Sequence, residues 1–371
     1  MQLNPKGSGN NPPSQRRATL RLLLVVCSVV LFAIVAEIAL RLGFSSQLAL
    51  VQDERNLLYR YDDTLGWFPM ANSSNQFLGS RRITVVHNSE GFRGPEYAMS
   101  SKPRILFLGD SFVWGYDAEL GERFTDKLQA KHPEWAVYNF GVSGYGTDQE
   151  YILLQKRFDW YQPQVVFLMF STETDDKDNS TNCEWGYYKP YCSLDNNRLA
   201  LHGIPVPKSE KFFLASHRAL AHSYLVRLLA HVYYSMLSPQ VIHVDPNPTG
   251  AIIRDMQRYT AMKGAVLVVG LTRTHPELEK FLDYFKIPWV DVSTPLRYIG
   301  MGEHWTPEGN TFVAEKVDDF LLKGKFMEPR ASQMTTNALL SAPATVTNAG
   351  ATLSNTPLST PPAINPSPGT N

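Results

Sequence analysis

Five short apolar runs punctuate the middle of the chain, at Arg104–Gly109, Ala136–Phe140, Gln164–Phe170, Ala265–Leu271 and Pro288–Val292. Each is short, rich in Val, Ile, Leu and Phe, and reads as a strand of a buried parallel sheet. Between and after them, amphipathic segments predict helices near Gly121–Lys131, Thr147–Phe158, Ser209–Ser235, Gly250–Lys263, Pro276–Phe285 and Pro307–Leu322. Strands alternating with helices in this way predict an α/β fold. It would have three layers, with a mainly parallel five-stranded sheet between helices. Ligands of such sheets bind beyond the strand C-termini. Upstream, residues 47–102 read as an irregular entry with short strands, Ser80–His87 being the clearest.

The two ends differ from this middle. Residues 1–18 are rich in Gly, Pro, Asn and Ser and read as a disordered tail. Residues 19–43 hold an uncharged apolar run, Leu22 to Ala36, continued past Glu37 to Leu40. With its ends it approaches the roughly 20 residues that span a bilayer. Glu37 and Arg41 are four residues apart and can pair where such a helix leaves the hydrocarbon. Basic residues precede the run, which predicts a cytoplasmic N-terminus and an exported remainder. No small-x-small site follows it, so an uncleaved anchor is expected rather than a removed signal peptide. Residues 330–371 carry no charge after Arg330 and are Ala, Ser, Thr, Pro and Asn; a disordered tail is expected there.

The apolar share, 43%, suffices for a sizeable core, and the net charge of zero implies no basic face for nucleic acid. The chemistry lies at strand ends. Arg104–Gly109 stops abruptly at Asp110-Ser111-Phe112. Gly109 permits a tight turn, and Asp110 and Ser111 suit the next helix N-terminus, where backbone N–H groups can bind an oxyanion. Downstream, His304 stands just before Thr306-Pro307, a capping residue and a first-turn proline. A serine nucleophile needs a base, and histidine has the right pKa.

These blocks resemble the SGNH (GDSL-type) hydrolase family over about Tyr61 to Leu322. Gly109-Asp110-Ser111-Phe112 is similar to the nucleophile block. Asn139-Phe140-Gly141-Val142-Ser143-Gly144 is similar to the second block, and His304 to the base of the last. Leu65-Gly66-Trp67-Phe68-Pro69 and Asn88-Ser89-Glu90-Gly91-Phe92-Arg93 are similar to text in membrane-anchored members. The resemblance implies an SGNH/flavodoxin-like domain over residues 103–325. Ser111 would be its nucleophile, His304 its base, and the N–H groups of Ser111 and Gly144 its oxyanion hole.

Two positions depart from the family's pattern. The asparagine of the third block aligns with Thr174, whose hydroxyl has one donor where the amide has two; Thr174 would compensate, or Asn179 would reach in. The aspartate expected two or three residues before the histidine falls on Gly302 and Met301. That leaves either a triad using Glu303 or a Ser-His dyad oriented by a carbonyl group.

Residues 175–207 read as a lid-like insertion. Their aromatics, Trp185 and Tyr187 among them, would either stack on a substrate beside Asp110 or pack the loop onto the domain. Cys183 and Cys192 lie close together in an exported segment, which leaves a disulfide and two separate thiols equally open. The acidic run Asp175-Asp176-Lys177-Asp178 lacks a later bidentate Glu, and no Cys/His cluster has zinc spacing, so neither metal nor cofactor is expected. The expected function is a membrane-anchored, extracytoplasmic (periplasmic or extracellular) serine esterase. Its expected partner is a carboxylic, acetyl-type ester of a glycan. Acyl transfer to a sugar and a degenerate hydrolase fold serving in binding or assembly are the alternatives.

Overall fold

A computed structural model describes residues 13–50, 53–196 and 198–328, which divide into two compact units. The first joins the N-terminal segment to Glu210–Ser238. Its helix Pro13–Gly43 includes a 28-residue stretch, Arg16–Gly43, long and apolar enough to cross a membrane. The helix starts at Pro13, so the expected tail of 1–18 is helical over its last residues, while residues 1–12 and 330–371 lie outside the described residues.

The segment expected as one helix, Ser209–Ser235, is three: Glu210–Ser216, Arg218–Ala221 and Tyr224–Leu237. Apolar spacing continues through the breaks, but His217 leaves helical geometry and Ser223 caps a new start by accepting from Val226 N–H. The Glu37 carboxylate accepts from Tyr224 N–H and Leu225 N–H and takes the Ser223 hydroxyl, placing a negative charge at that helix N-terminus. Arg41 pairs with Glu37, as the i, i+4 spacing predicts, and also donates to His222 O. Tyr224–Leu237 exposes an apolar stripe of Leu229, Tyr233, Met236 and Leu237.

The second unit holds the parallel sheet. Its strands are β1 (Arg104–Gly109), β2 (Ala136–Asn139), β3 (Val165–Phe170), β4 (Val266–Leu271) and β5 (Trp289–Asp291), in the order β5-β4-β3-β1-β2. All neighbours run parallel, with Phe107 opposite Phe167 and Val269 opposite Leu168. β3 is buried at every residue and β1 at all but Arg104, which is why both read as unbroken apolar runs. Helices α1 (Ser111–Trp114), α2 (Phe124–Lys131), α3 (Thr147–Tyr161), α4 (Thr249–Met262), α5 (Pro276–Tyr284) and α6 (Pro307–Lys323) follow the strands. α2 and α6 cover one face, where Phe107, Phe124, Phe167, Trp305 and Val317 share a core. α3 and α4 touch each other and cover β1 and β4 from the other face.

The entry segment is more ordered than its composition predicts. It forms the hairpins Tyr59–Asp62/Gly66–Pro69 and Ser74–Leu78/Arg82–Val86, so the strand expected over Ser80–His87 is the second arm of a hairpin. The insertion after β3 forms the helix Asp175–Asn179 and two hairpins, Cys183–Glu184/Tyr187–Tyr188 and Tyr191–Asp195/Arg198–His202. A wholly buried ion pair, Lys189 Nζ to Asp148 Oδ2 at 2.5 Å, fastens it to α3. Cys183 and Cys192 fall in different hairpins and are not joined. Nearness in sequence does not bring two β-carbons within bridging reach when each is committed to its own ladder. Alkylation in denaturant without reductant should therefore label all three cysteines of the chain; a species with one label would show the disulfide.

Candidate active site

β1 delivers Asp110 and Ser111 to the C-terminal edge of the sheet. Asp110 caps α1, its carboxylate accepting from Phe112 N–H at 2.9 Å. Ser111 begins the helix and is half-buried. The loop before α6 brings in His304, and Thr306 caps that helix by accepting from Gly309 N–H. Ser111 Oγ and His304 Nε2 are 2.7 Å apart. With the hydroxyl donating to Nε2, the remaining ring proton sits on Nδ1.

The imidazole is held on three sides. Tyr116 stacks on it with centroids 4.1 Å apart, and Phe112 lies against it at 5.1 Å. Nδ1 faces Asp117 Oδ2 at 3.9 Å, and both side chains are buried. This distance exceeds a hydrogen bond, but catalytic contacts commonly tighten when substrate binds. Asp117 is itself fixed: its Oδ1 accepts from Ser80 N–H at 2.7 Å and from Arg81 N–H at 3.3 Å. The entry hairpin Ser74–Val86 thus supports the site from outside the sheet.

Glu303 is turned toward Arg273. It is more than half exposed and its carboxylate pairs with Arg273, in a surface network with Glu173 and Arg297. A side chain at Gly302 would begin with a β-carbon 2.3 Å from His304 Cε1. The ring occupies the space that side chain would need. The carboxylate facing His304 is that of Asp117, six residues beyond Ser111. No local signal marks Asp117, because its role depends on a hairpin distant in sequence.

Gly144 lies in the loop after β2 at φ +74°, a conformation that a side chain would resist. Thr174 does not aim a donor outward. Its hydroxyl is 2.8 Å from Ser171 Oγ and 3.4 Å from Asp110 Oδ2. Asn179 is wholly buried and its amide donates to Thr147 and Thr249, so it does not reach in either. Asp110 is buried and caps α1 rather than lining an open surface. Tyr187 is likewise buried, its hydroxyl on Asp53 Oδ1 at 2.7 Å, and packs the insertion onto the domain. Trp185 alone of the three residues expected to meet substrate is exposed, at 51%.

Behind Ser111 lies a nest of buried acids. Burial raises Asp110 to about 7. Burial first, then the neighbouring Asp110, holds Glu150 well above the ordinary carboxylate range, and neither Glu150 oxygen has a hydrogen-bond partner among the described residues. Asp175 is raised too, by burial and then by Glu150. The linkage sign is that of a raised acid: Asp110's contribution to stability is complete below 3.8 and lost as the pH rises through about 7. Asp110→Asn, which cannot ionise, should therefore gain stability relative to wild type as the pH goes from 4 to 7. Melting temperatures across that window test this, and a pH-independent difference would contradict it.

No protein-family model matches the chain, and no curated protein matches it. Solved structures do. The chain is similar to a putative lipolytic protein of the G-D-S-L family from Desulfitobacterium hafniense, with 13% identity, 59% of this chain and 100% of that one covered, and a TM-score of 0.34. It is similar to the carbohydrate acetylesterase Est24 from Sinorhizobium meliloti, with 12% identity, coverage of 60% and 99%, and a TM-score of 0.34. It is also similar to the psychrotrophic esterase EstA from Pseudoalteromonas sp., with 9% identity, coverage of 60% and 98%, and a TM-score of 0.35. At such identities and scores these likenesses carry no argument, and the fold and the site stand on their own geometry.

Proposed function

We propose that this chain is a serine ester hydrolase of the SGNH type. The observation that carries the reading is the 2.7 Å contact between Ser111 Oγ and His304 Nε2, with Asp117 facing the far side of the ring. Ser111 Oγ attacks the ester carbonyl as His304 takes its proton. The tetrahedral oxyanion is received by the N–H groups of Ser111 and Gly144. His304 then protonates the departing alcohol, leaving an acyl-enzyme. Water, deprotonated by the same imidazole, attacks that ester and releases the acid and free Ser111. Asp117 holds the imidazole in the tautomer with Nδ1–H and favours its charged form.

The acyl group is small, acetyl by preference, and the alcohol belongs to a glycan outside the cytoplasm. The helix Arg16–Gly43 is a single-pass anchor with its N-terminus in the cytoplasm. The exposed apolar stripe of Tyr224–Leu237, in the same compact unit as the anchor, supports a seat at the bilayer. A second reading, a binding or assembly protein on a degenerate hydrolase fold, is favoured by one observation: Thr174 and Asn179 are both engaged elsewhere, which removes a side-chain oxyanion donor. Acetate release from 4-nitrophenyl acetate and from O-acetylated sugars by the full chain in detergent separates the two. Turnover that needs Ser111 supports the hydrolase; a folded chain that binds acetylated sugar without turning it over supports the other.

A further inference from the structure

The buried arginines of the second unit differ in one respect. Arg93 and Arg123, each 1% exposed, spend their N–H groups on carbonyls of Thr84, Gly115, Ala118 and Arg93 and on the Asp126 carboxylate. Their terminal nitrogens are thus all engaged, and of the two only Arg93 Nε lacks a partner among the described residues. Arg55, 6% exposed, makes no side-chain hydrogen bond or ion pair with any described residue, and its Nε is buried without a partner. It stands instead among aromatic faces: Trp185 at 3.9 Å, Trp67 at 4.9 Å and Tyr187 at 5.8 Å from the guanidinium carbon. Such faces hold a cation in place while leaving its N–H groups unspent.

Its position is at the oxyanion loop. A β-carbon at Gly144 would lie 1.8 Å from Arg55 Nη2 and 2.9 Å from Trp185 Cζ3. At φ +74° the Gly144 N–H and the direction of that β-carbon are splayed apart, so Arg55 flanks the oxyanion hole and does not fill it. Trp185 comes from the tip of the hairpin Cys183–Tyr188, where Trp185 and Gly186 both have positive φ, and remains half-exposed over the guanidinium. Glu54 and Glu184 are within electrostatic reach of Arg55, and neither is paired with it; Glu184 is bound to Lys177 at 2.9 Å.

We propose that Arg55, walled by Trp185 and the Gly144 loop, is an anion subsite that seats a carboxylate or phosphate group of the substrate beside the reacting ester. The planar fork of a guanidinium matches both groups bidentately, whereas a neutral hydroxyl leaves its charge unanswered. The inference rests on the ester-hydrolase reading and narrows it: the substrate is an acidic ester, such as an acylated uronate or an acylated sugar phosphate. Arg55 specifies the substrate and leaves the bond chemistry to Ser111 and His304.

The test uses the full chain in detergent, with D-glucuronate, inorganic phosphate and D-glucose as probes. Binding is followed calorimetrically, and protection of Ser111 is followed by the rate of fluorophosphonate labelling. At least one of the two anions should bind and slow labelling, and glucose should do neither. Whichever anion binds names the source. Arg55→Met should weaken that anion by about tenfold or more, and Arg55→Lys, a point charge in place of a fork, by an intermediate factor. Ser111→Ala should bind the anion as wild type does. Anion binding that survives Arg55→Met, or a folded wild type that binds neither anion, overturns the proposal. Arg55-dependent binding in a chain that never labels would leave the subsite standing and remove the hydrolase reading. Should Arg55→Met fail to fold, Arg55→Lys and the exposed Trp185→Ala decide: unchanged affinity in both overturns the subsite.

Discussion

Replacing Ser111 by alanine is expected to lower ester turnover by on the order of 10⁴-fold or more, to the level that binding and oxyanion donors alone sustain. In the proposed mechanism this hydroxyl forms the acyl-enzyme. Ser171 Oγ accepts from the Thr174 hydroxyl. Stability should change little, because Ser111 is half-buried and the cap of α1 comes from Asp110. Retained turnover in a folded Ser111→Ala chain would remove this serine from the chemistry.

The second large effect concerns the acid. Asp117→Asn should lower kcat by about 10⁴-fold, the loss seen when an isosteric amide allows the base its wrong tautomer. The amide oxygen can still accept from Ser80 N–H and Arg81 N–H, so the loop geometry is preserved and the effect is on rate. Glu303→Gln, by contrast, removes one end of an exposed pair with Arg273 and should leave kcat within a few-fold of wild type. Kinetics of the two variants measured side by side decide between Asp117, Glu303 and a dyad. A strong loss in Glu303→Gln with none in Asp117→Asn would reverse the assignment; no loss in either would leave Ser111 and His304 working alone.

What was legible in the chain follows from locality. The sheet strands could be read because burial on both faces removes polar residues from consecutive positions. Their edges in the structure move by a residue at most, as with Gln164–Phe170 against Val165–Phe170. Ser111 and His304 could be read because each sits where a strand or loop meets a helix cap, a pattern written in neighbouring residues. Asp117 and Arg55 could not, for the same physical reason: each acquires its place from tertiary approach. Asp117 is an acid in a turn until the Ser74–Val86 hairpin fixes it with two backbone N–H groups. Arg55 is one base in a five-residue helix until Trp185 folds over it from 130 positions downstream. Which partners a side chain meets depends on its orientation, which spacing does not encode. Glu303 turns to Arg273, Thr174 toward Asp110 and Ser171, and Asn179 inward to two threonines.

Asp110 illustrates how the site is held. Asp110 is buried beside Glu150 and Asp175, and its carboxylate both caps α1 and takes the Thr174 hydroxyl. The turn that presents Ser111 is thus fixed from beneath by acids whose ionisation burial opposes, and Asp110's share of the stability is lost as the pH rises through about 7.

The central claim, that Ser111 is activated by His304, is tested most directly by treating the full chain in detergent with a fluorophosphonate and locating the adduct by peptide mass. A single adduct on Ser111, absent from Ser111→Ala and formed far more slowly in His304→Ala, is the predicted result. A folded chain that takes no adduct, or takes it at another residue, would contradict the claim.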